Sequence, residues 1–284
     1  LSLNPLALRR DWLFQKRKAL WSYEMQKNGT RMVIGIGLSQ PLLEAARELG
    51  IKSVEVQHGL LNEGTLDKHF GDRIPDVFLA WNQKSAEIAE ARGMSSLIVG
   101  NPVSFGEAIS VAKEKQKLPL CVALQYERIL GLVLPMQHPS LSAVLEQAAS
   151  QGKKIIFRLH PVVESKTMAR AISVVWLRLR WPGNAVHFPS KFTIEDSANL
   201  TQGLVTWKSG TAYEFTLLGK KALFTDESAR QNLIQHLRGE QISQGLIARN
   251  LDDLYSPIQH FGRRHSPTHN RGEIVKLLKK TAQV

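Results

Sequence analysis

The sequence predicts a parallel α/β protein made of two doubly wound units joined by a linker. Three observations predict it. Short apolar runs alternate with amphipathic segments from Arg31 to Val99, and the alternation resumes from Leu120 to Thr225. Strand-helix-strand repetition at this spacing builds a parallel sheet with crossover helices. The pattern breaks once, at Gly100-Asn101-Pro102 and the polar, lysine-rich stretch 104–119, which divides the chain into residues 1–103 and 104–284. Glycines also stand where helices should stop, at Gly50 and Gly93, since glycine tolerates the left-handed geometry that ends a helix.

Residues 9–27 read as a helix with Arg9, Arg10, Trp12, Phe14, Lys16, Arg17, Lys18, Trp21 and Tyr23. The expected reading packs it on the next domain through Trp12, Leu13, Leu20 and Trp21. The alternative rests it on a membrane surface, rings at the headgroup level and cations toward anionic lipid. Met32–Ile36 then reads as a strand, and Gln40–Leu49 has helical spacing through Leu42, Leu43, Ala46 and Leu49. Lys52–Val56 reads as a strand, 60–75 as a polar loop, Asp76–Trp81 as a strand, Gln83–Arg92 as a helix and Ser96–Val99 as a strand. So few strands are expected of a domain whose upstream strands lie outside this chain, and Leu1 in place of an initiator methionine agrees with a fragment or processed chain.

In the second half the expected order is strand Leu120–Gln125, helix Leu141–Gln151, strand Lys154–Leu159 and a helix within 164–174. A strand near Val186, a helix over 194–200, strand Leu204–Thr206, helix Thr211–Leu218 and strand Lys221–Thr225 follow. A last helix is expected over 271–280.

The composition, 43% hydrophobic and 22% charged, is that of a soluble globular chain. No apolar stretch approaches the roughly 20 residues that span a bilayer. The N-terminal residues lack the pattern of a signal peptide. Cys121 is the only cysteine, which excludes an intrachain disulfide and a cysteine metal site and suits the cytoplasm. The net charge of +12 points to polyanionic partners: nucleic acid, an anionic membrane or phosphorylated substrates. No zinc-finger spacing or aromatic-basic RNA motif is present, so nucleic acid is not expected.

Two clusters end strand-like runs in the second half. Arg158-Leu159-His160-Pro161 follows Lys154–Phe157, and Lys208-Ser209-Gly210-Thr211-Ala212-Tyr213-Glu214 follows Gly203–Thr206. In an open parallel sheet such ends share one rim, where ligands bind. A cation, an imidazole, hydroxyls and a glycine there suit a phosphorylated ligand, most simply a nucleotide. A helix starting near Thr211 would add free N–H groups and the positive end of its dipole. Thr211 and Glu214 fit a capping box equally well, and Glu214 is open between that role and accepting hydrogen bonds from ribose. Proline after His160 disfavours helical backbone at the histidine; His138-Pro139 repeats the pair in a less strand-like setting.

In the first half Gln57-His58-Gly59 ends a strand, and His58 is a candidate base with Glu63 a second. Gly35-Ile36-Gly37 reads as a strand end, since the glycine fingerprints of nucleotide loops and the serine elbow are missing. His265 and His269 lack the companion glutamate of a zinc helix, and no metal site is expected.

The order of these motifs resembles the GT-B glycosyltransferases. His58-Gly59, Pro75-Asp76, Gly100-Asn101-Pro102, His160-Pro161 and Ser209-Gly210-Thr211 with Glu214 are similar to motifs of bacterial capsule and lipopolysaccharide transferases, CDP-glycerol glycerophosphotransferases and sialyl- and Kdo-transferases. The likeness runs from about Met32 to Asp226. It implies two Rossmann-type domains facing a cleft, the first on the acceptor side and the second holding the donor. His160 and Pro161 would hold a nucleotide, by this likeness a cytidine nucleotide, with Arg158 and Lys208 adding charge. Ser209, Gly210 and Thr211 would bind phosphate and Glu214 ribose. The glycerophosphotransferases use the His-Gly histidine as base, matched by His58; sialyltransferases use an acidic residue in a motif matched in part by Asn62-Glu63-Gly64. The implied activity is metal-independent transfer of a sugar, Kdo or sialic acid among the candidates, to a hydroxyl of a surface polysaccharide. No cofactor beyond the nucleotide-sugar substrate is implied. The acceptor would be a glycan or lipid-linked glycan at the inner face of the membrane. A nucleotide-sugar 2-epimerase of the same fold is the second reading, and a non-catalytic glycan- or partner-binding module the third.

Overall fold

A computed structural model describes residues 5–101, 118–129, 132–136, 138–239, 244–256 and 276. The chain separates into two compact units between Asn101 and Pro102. The linker before Leu118, His265, His269 and the expected terminal helix except Lys276 lie outside the described residues.

The first unit runs α1 (Pro5–Lys27), β1 (Met32–Gly35), α2 (Gln40–Glu48), β2 (Lys52–Val56), α3 (Glu63–Phe70), β3 (Val77–Ala80), α4 (Gln83–Glu90) and β4 (Ser95–Ile98). Its four strands are parallel and lie in chain order, β1-β2-β3-β4. Right-handed crossovers in that order place the helices on one face of the sheet. Alternation along each strand divides the apolar residues accordingly. Phe78 and Ala80 join Leu42, Leu43, Leu66 and Ile88 in the main core, whereas Val54, Leu79 and Val99 form a smaller cluster. Gly50 and Gly93 have φ of +67° and +84°, the left-handed stops expected after α2 and α4.

The order β1-β2-β3-β4 winds in one direction only, not doubly as expected, and two further expectations for this unit are corrected. The polar loop over 60–75 contains α3, opened by a capping box between Asn62 and Thr65. Leu66 and Phe70, four apart, bury its inner face. Asp67 lies in this helix and pairs with Arg92 rather than standing in a solvated loop. The second correction concerns α1, whose Trp12, Leu13, Leu20 and Trp21 remain exposed rather than packing on the domain. A narrower stripe at helical spacing faces inward instead. Met25 is buried, Lys18 Nζ pairs with Glu48 at 2.8 Å, and the Arg73 guanidinium lies 4.7 Å from the Phe14 ring.

The second unit runs β5 (Leu120–Ala123), β6 (Gln125–Ile129), β7 (Leu132–Met136), α5 (Pro139–Ser150), β8 (Ile155–Arg158), α6 (Pro161–Glu164), α7 (Thr167–Arg180) and β9 (Ala185–His187). It continues with α8 (Ile194–Asn199), β10 (Gly203–Thr206), α9 (Thr211–Leu217), β11 (Lys221–Phe224), α10 (Glu227–Gly239), β12 (Ile247–Ala248) and α11 (Leu251–Tyr255). The six-stranded sheet has the order β12-β11-β10-β5-β8-β9, all parallel. The chain winds from β5 out to β9, returns to β10 beside β5, and winds the other way. This is the doubly wound Rossmann order, and its reversal opens a crevice at the carboxyl ends of β5 and β10.

Every residue of β5, β8, β10 and β11 is buried, as central strands covered on both faces must be. That is why their sequences read as unbroken apolar runs. The antiparallel hairpin β6–β7 interrupts the expected passage from strand to helix and carries Tyr126 to the crevice side. The α10–β12–α11 segment likewise extends the unit past the last expected strand.

Candidate functional site

The turn after β10 is held from below. Thr206, fully buried, donates its hydroxyl to Ala123 O on β5 at 2.9 Å and accepts from Ser209 N at 3.1 Å. The side-chain oxygen thereby shapes the turn as a backbone group would. Ser209 Oγ accepts from Thr211 N at 3.3 Å and donates to Thr211 Oγ1 at 3.1 Å. That leaves the Thr211 hydroxyl proton to point elsewhere. Gly210 adopts ordinary helical geometry (φ −59°, ψ −19°), so it supplies an uncluttered backbone rather than an unusual φ.

The capping box open to Thr211 and Glu214 is not formed. Thr211 is already the first helical residue, and α9 has no side-chain cap. Among the described residues the Glu214 carboxyl makes no hydrogen bond. Burial raises its pKa to about 7, with Arg158 opposing the rise. An acid held back in this way at a strand rim is a candidate ligand-site residue.

The sign of that shift gives a test. The folded chain keeps the Glu214 proton up to about pH 7, whereas the unfolded chain releases it near 4.5. Stability therefore falls as pH rises through this window. Glu214→Gln is expected to melt higher than the parent above pH 7 and to converge with it below about pH 4.5, as thermal melts across pH would read.

Arg158 ends β8 and is buried. Its Nη1 donates to Phe192 O at 2.7 Å, Thr193 O at 3.3 Å and Ser197 Oγ at 2.8 Å. Burial pulls its pKa down, and Cys121, Glu214, Glu164 and Asp196 oppose this. One edge of the guanidinium thus fixes the loop entering α8, while its charge is felt at Glu214.

Two residues on, His160 caps α6, with Pro161 as the first helical residue. Its Nδ1 accepts from Val162 N at 3.2 Å, and burial lowers its pKa. The neutral ring therefore carries its proton on Nε2, free to donate. The ring packs 4.6 Å from that of Tyr126.

His138-Pro139 is built the same way at the start of α5: Nδ1 accepts from Ser140 N at 3.3 Å. Its ring stacks flat on Trp207, 4.4 Å away and 4° from parallel. Ser140 Oγ donates to Thr225 Oγ1 at 3.0 Å, joining this cluster to the end of β11. Lys208 is half-exposed, lies 4.4 Å from the Trp207 ring centroid and pairs with Asp226 at 3.4 Å. Sequence reasoning gave His138 little weight and missed Trp207 and Tyr126. The repeated His-Pro pair was the available signal.

The first unit holds its own cluster at the end of β2. Gln57 is buried; its Oε1 accepts from Trp81 N and its Nε2 donates to Gly59 O, both at 2.7 Å. These bonds clamp the turn that presents His58, whose side chain is 59% exposed. Glu55, 2% exposed, accepts from Gly37 N at 2.6 Å and Leu38 N at 2.9 Å, and lies 4.0 Å from His58 Nδ1. Gly35-Ile36-Gly37 is thus more than a strand end, since Gly37 at φ +68° helps turn two N–H groups onto a buried carboxylate. His69 of α3 stands edge-on to His58, ring centroids 6.4 Å apart. Glu55, His58, His69 and Phe70 line a cavity of about 60 Å³. Glu63 opens α3, and its side chain lies outside the described residues.

Among the described residues no cluster of three or more His, Cys, Asp or Glu is arranged to hold a metal. No described helix is long and apolar enough to cross a membrane.

No protein-family model and no curated protein sequence matches the chain. Solved structures do. The Staphylococcus aureus protein MnaA, solved with UDP, superposes with a TM-score of 0.56 at 13% identity, covering 99% of this chain and 83% of that one. A UDP-GlcNAc 2-epimerase from Methanocaldococcus jannaschii, solved with UDP-GlcNAc and UDP, gives 0.57 at 12%, covering 94% and 80%. The UDP-N-acetylglucosamine 2-epimerase of Rickettsia bellii gives 0.56 at 12%, covering 95% and 79%. Identities this low speak for the fold alone: the chain has the GT-B fold, with two Rossmann-like α/β units, as its sequence led us to expect.

Proposed function

We propose that the chain is an enzyme acting on a nucleotide sugar, with the donor nucleotide held at the β5/β10 rim of the second unit. Glu214 carries this reading: a partly buried carboxyl, without a hydrogen bond among the described residues, beside the Ser209–Thr211 hydroxyl pair. Once ionised it accepts hydrogen bonds from a ribose diol, while Thr211, Gly210 and Lys208 meet the phosphates. His160 Nε2–H and the chain direction fixed by Pro161 serve the same ligand. Arg158 balances the charge at Glu214. The motif resemblance favours a cytidine nucleotide; the solved structures of this fold hold UDP, so uridine nucleotides stand beside it.

The reaction we propose is glycosyl transfer to a hydroxyl of a surface polysaccharide or lipid-linked glycan. His58 takes the acceptor proton as the acceptor oxygen bonds to the anomeric carbon. The bond from that carbon to the donor phosphate breaks, and the nucleotide leaves with the electron pair. The exposed ring can reach an acceptor, and Glu55 Oε1 lies 4.0 Å from its Nδ1. Glu63 is the alternative base. With Lys208 and the hydroxyls receiving the phosphate charge, the step as proposed needs no metal.

A second reading, nucleotide-sugar 2-epimerisation, is favoured by the epimerase structures that share the fold, the two described above among them. Incubating CMP- and UDP-sugars with and without a glycan acceptor, and following products by mass spectrometry, separates the two. Transfer requires acceptor-dependent glycan growth, reduced at least a hundredfold by His58→Ala. Epimerised or free sugar formed without acceptor would replace transfer by the second reading.

A further inference from the structure

We propose that α7 seats the second unit on an anionic phospholipid surface. This helix has two apolar faces. Ala169, Ser173 and Leu177 are buried, and with Trp181 hold it to the core. A second face, about 120° round the helix, repeats at i, i+4, i+7, i+8 and i+11: Met168, Ile172, Val175, Trp176 and Leu179. All five side chains are exposed, from 38% at Trp176 to 78% at Leu179. Singly exposed apolar residues are ordinary, but five on one continuous helical stripe are not.

The charges around the stripe decide what covers it. From Lys166 to Arg180 the segment carries Lys166, Arg170, Arg178 and Arg180 and no acidic residue. Arg180 pairs with Glu146 at 2.7 Å. Lys166, Arg170 and Arg178 are exposed and have no ion pair among the described residues. At 100° per residue the apolar side chains cover one side of the cylinder, with Arg178 beyond one margin and Arg180 beyond the other, while Arg170 lies on the side of Leu177 and Trp181.

An apolar stripe with an interfacial tryptophan and flanking arginines is the pattern of a helix lying in the headgroup region. Its apolar side chains sink among the acyl chains, and its cations meet lipid phosphates. A second copy of the chain suits the face poorly, because a twofold contact through α7 would bring like charges together with no carboxylate on the helix to answer them. The lipid surface supplies the missing negative charge.

The test is co-sedimentation of the whole chain with vesicles of phosphatidylcholine, alone or with phosphatidylglycerol. Binding to the anionic vesicles is expected to exceed that to neutral ones at least tenfold. Val175→Asp/Leu179→Asp and Arg178→Glu should each weaken it at least tenfold with the unfolding temperature unchanged, since all three side chains are exposed. Cys121 is fully buried, so an environment-sensitive dye attached at Leu179→Cys reports this face alone and should shift to the blue on anionic vesicles. Three outcomes would overturn the proposal: equal binding to both vesicles, Asp variants that sediment like the parent (which would place any binding elsewhere, as on α1), or Asp substitutions that convert a dimer to a monomer.

Discussion

Replacing Arg158 by methionine is expected to destabilise the chain by about 3 kcal/mol, the cost of breaking a buried charged network from one side. For a domain of this size that lowers the melting temperature by roughly 6–12 °C. Methionine nearly fills the volume, so the loss is polar rather than a cavity. Phe192 O, Thr193 O and Ser197 Oγ lose a shared charged donor, and the loop entering α8 loses its anchor to the sheet. Glu214 loses the cation that holds its pKa down. The deficit should therefore be larger at pH 8, where Glu214 would ionise without a counter-charge, than at pH 5. Glu214→Gln added to Arg158→Met should recover part of it, as expected of coupled groups. Thermal melts of the four proteins of this cycle measure all of it. A single variant melting within about 2 °C of the parent would mean that the guanidinium is not holding the loop.

Ser209→Ala/Thr211→Ala should do the reverse, sparing the fold and removing the ligand. Among the described residues the two hydroxyls bond only to each other and to Thr211 N, and Thr206 holds the turn without them. The melting temperature should move little. Hydrogen bonds to charged groups contribute about 1.5–3 kcal/mol each, so losing the pair should weaken binding of a nucleoside diphosphate by roughly a hundredfold to ten-thousandfold. Calorimetric titration reads this directly. Undiminished affinity in a folded double variant would move the phosphate away from the β10–α9 turn.

The strands of the second unit were legible because burial on both faces makes them unbroken apolar runs, and the strand–turn–helix at Thr206–Thr211 followed from its glycine and hydroxyls. What escaped notice has physical reasons. The α3 helix opens with Asn62 and Thr65 instead of a glutamate box and contains Gly64, so its polarity read as loop. The β6–β7 hairpin interrupts a pattern that otherwise passes from strand to helix. His138 and Trp207 lie far apart in sequence, and only the β5/β10 topology brings their rings together. Glu55 sits within an apolar strand, where nothing local announces that Gly37 and Leu38 will supply its two N–H groups. The capping-box pattern at Thr211–Glu214 was present in sequence yet unused, because the helix starts a residue too early for Thr211 to cap it.

The most direct test of the nucleotide site is a crystal structure of the chain grown with CDP or UDP. The expected result places phosphate oxygens about 3 Å from Thr211 Oγ1 and Gly210 N, with the ribose hydroxyls on the Glu214 carboxylate. A nucleotide bound at full occupancy anywhere else, with Glu214 still unpaired, would contradict it.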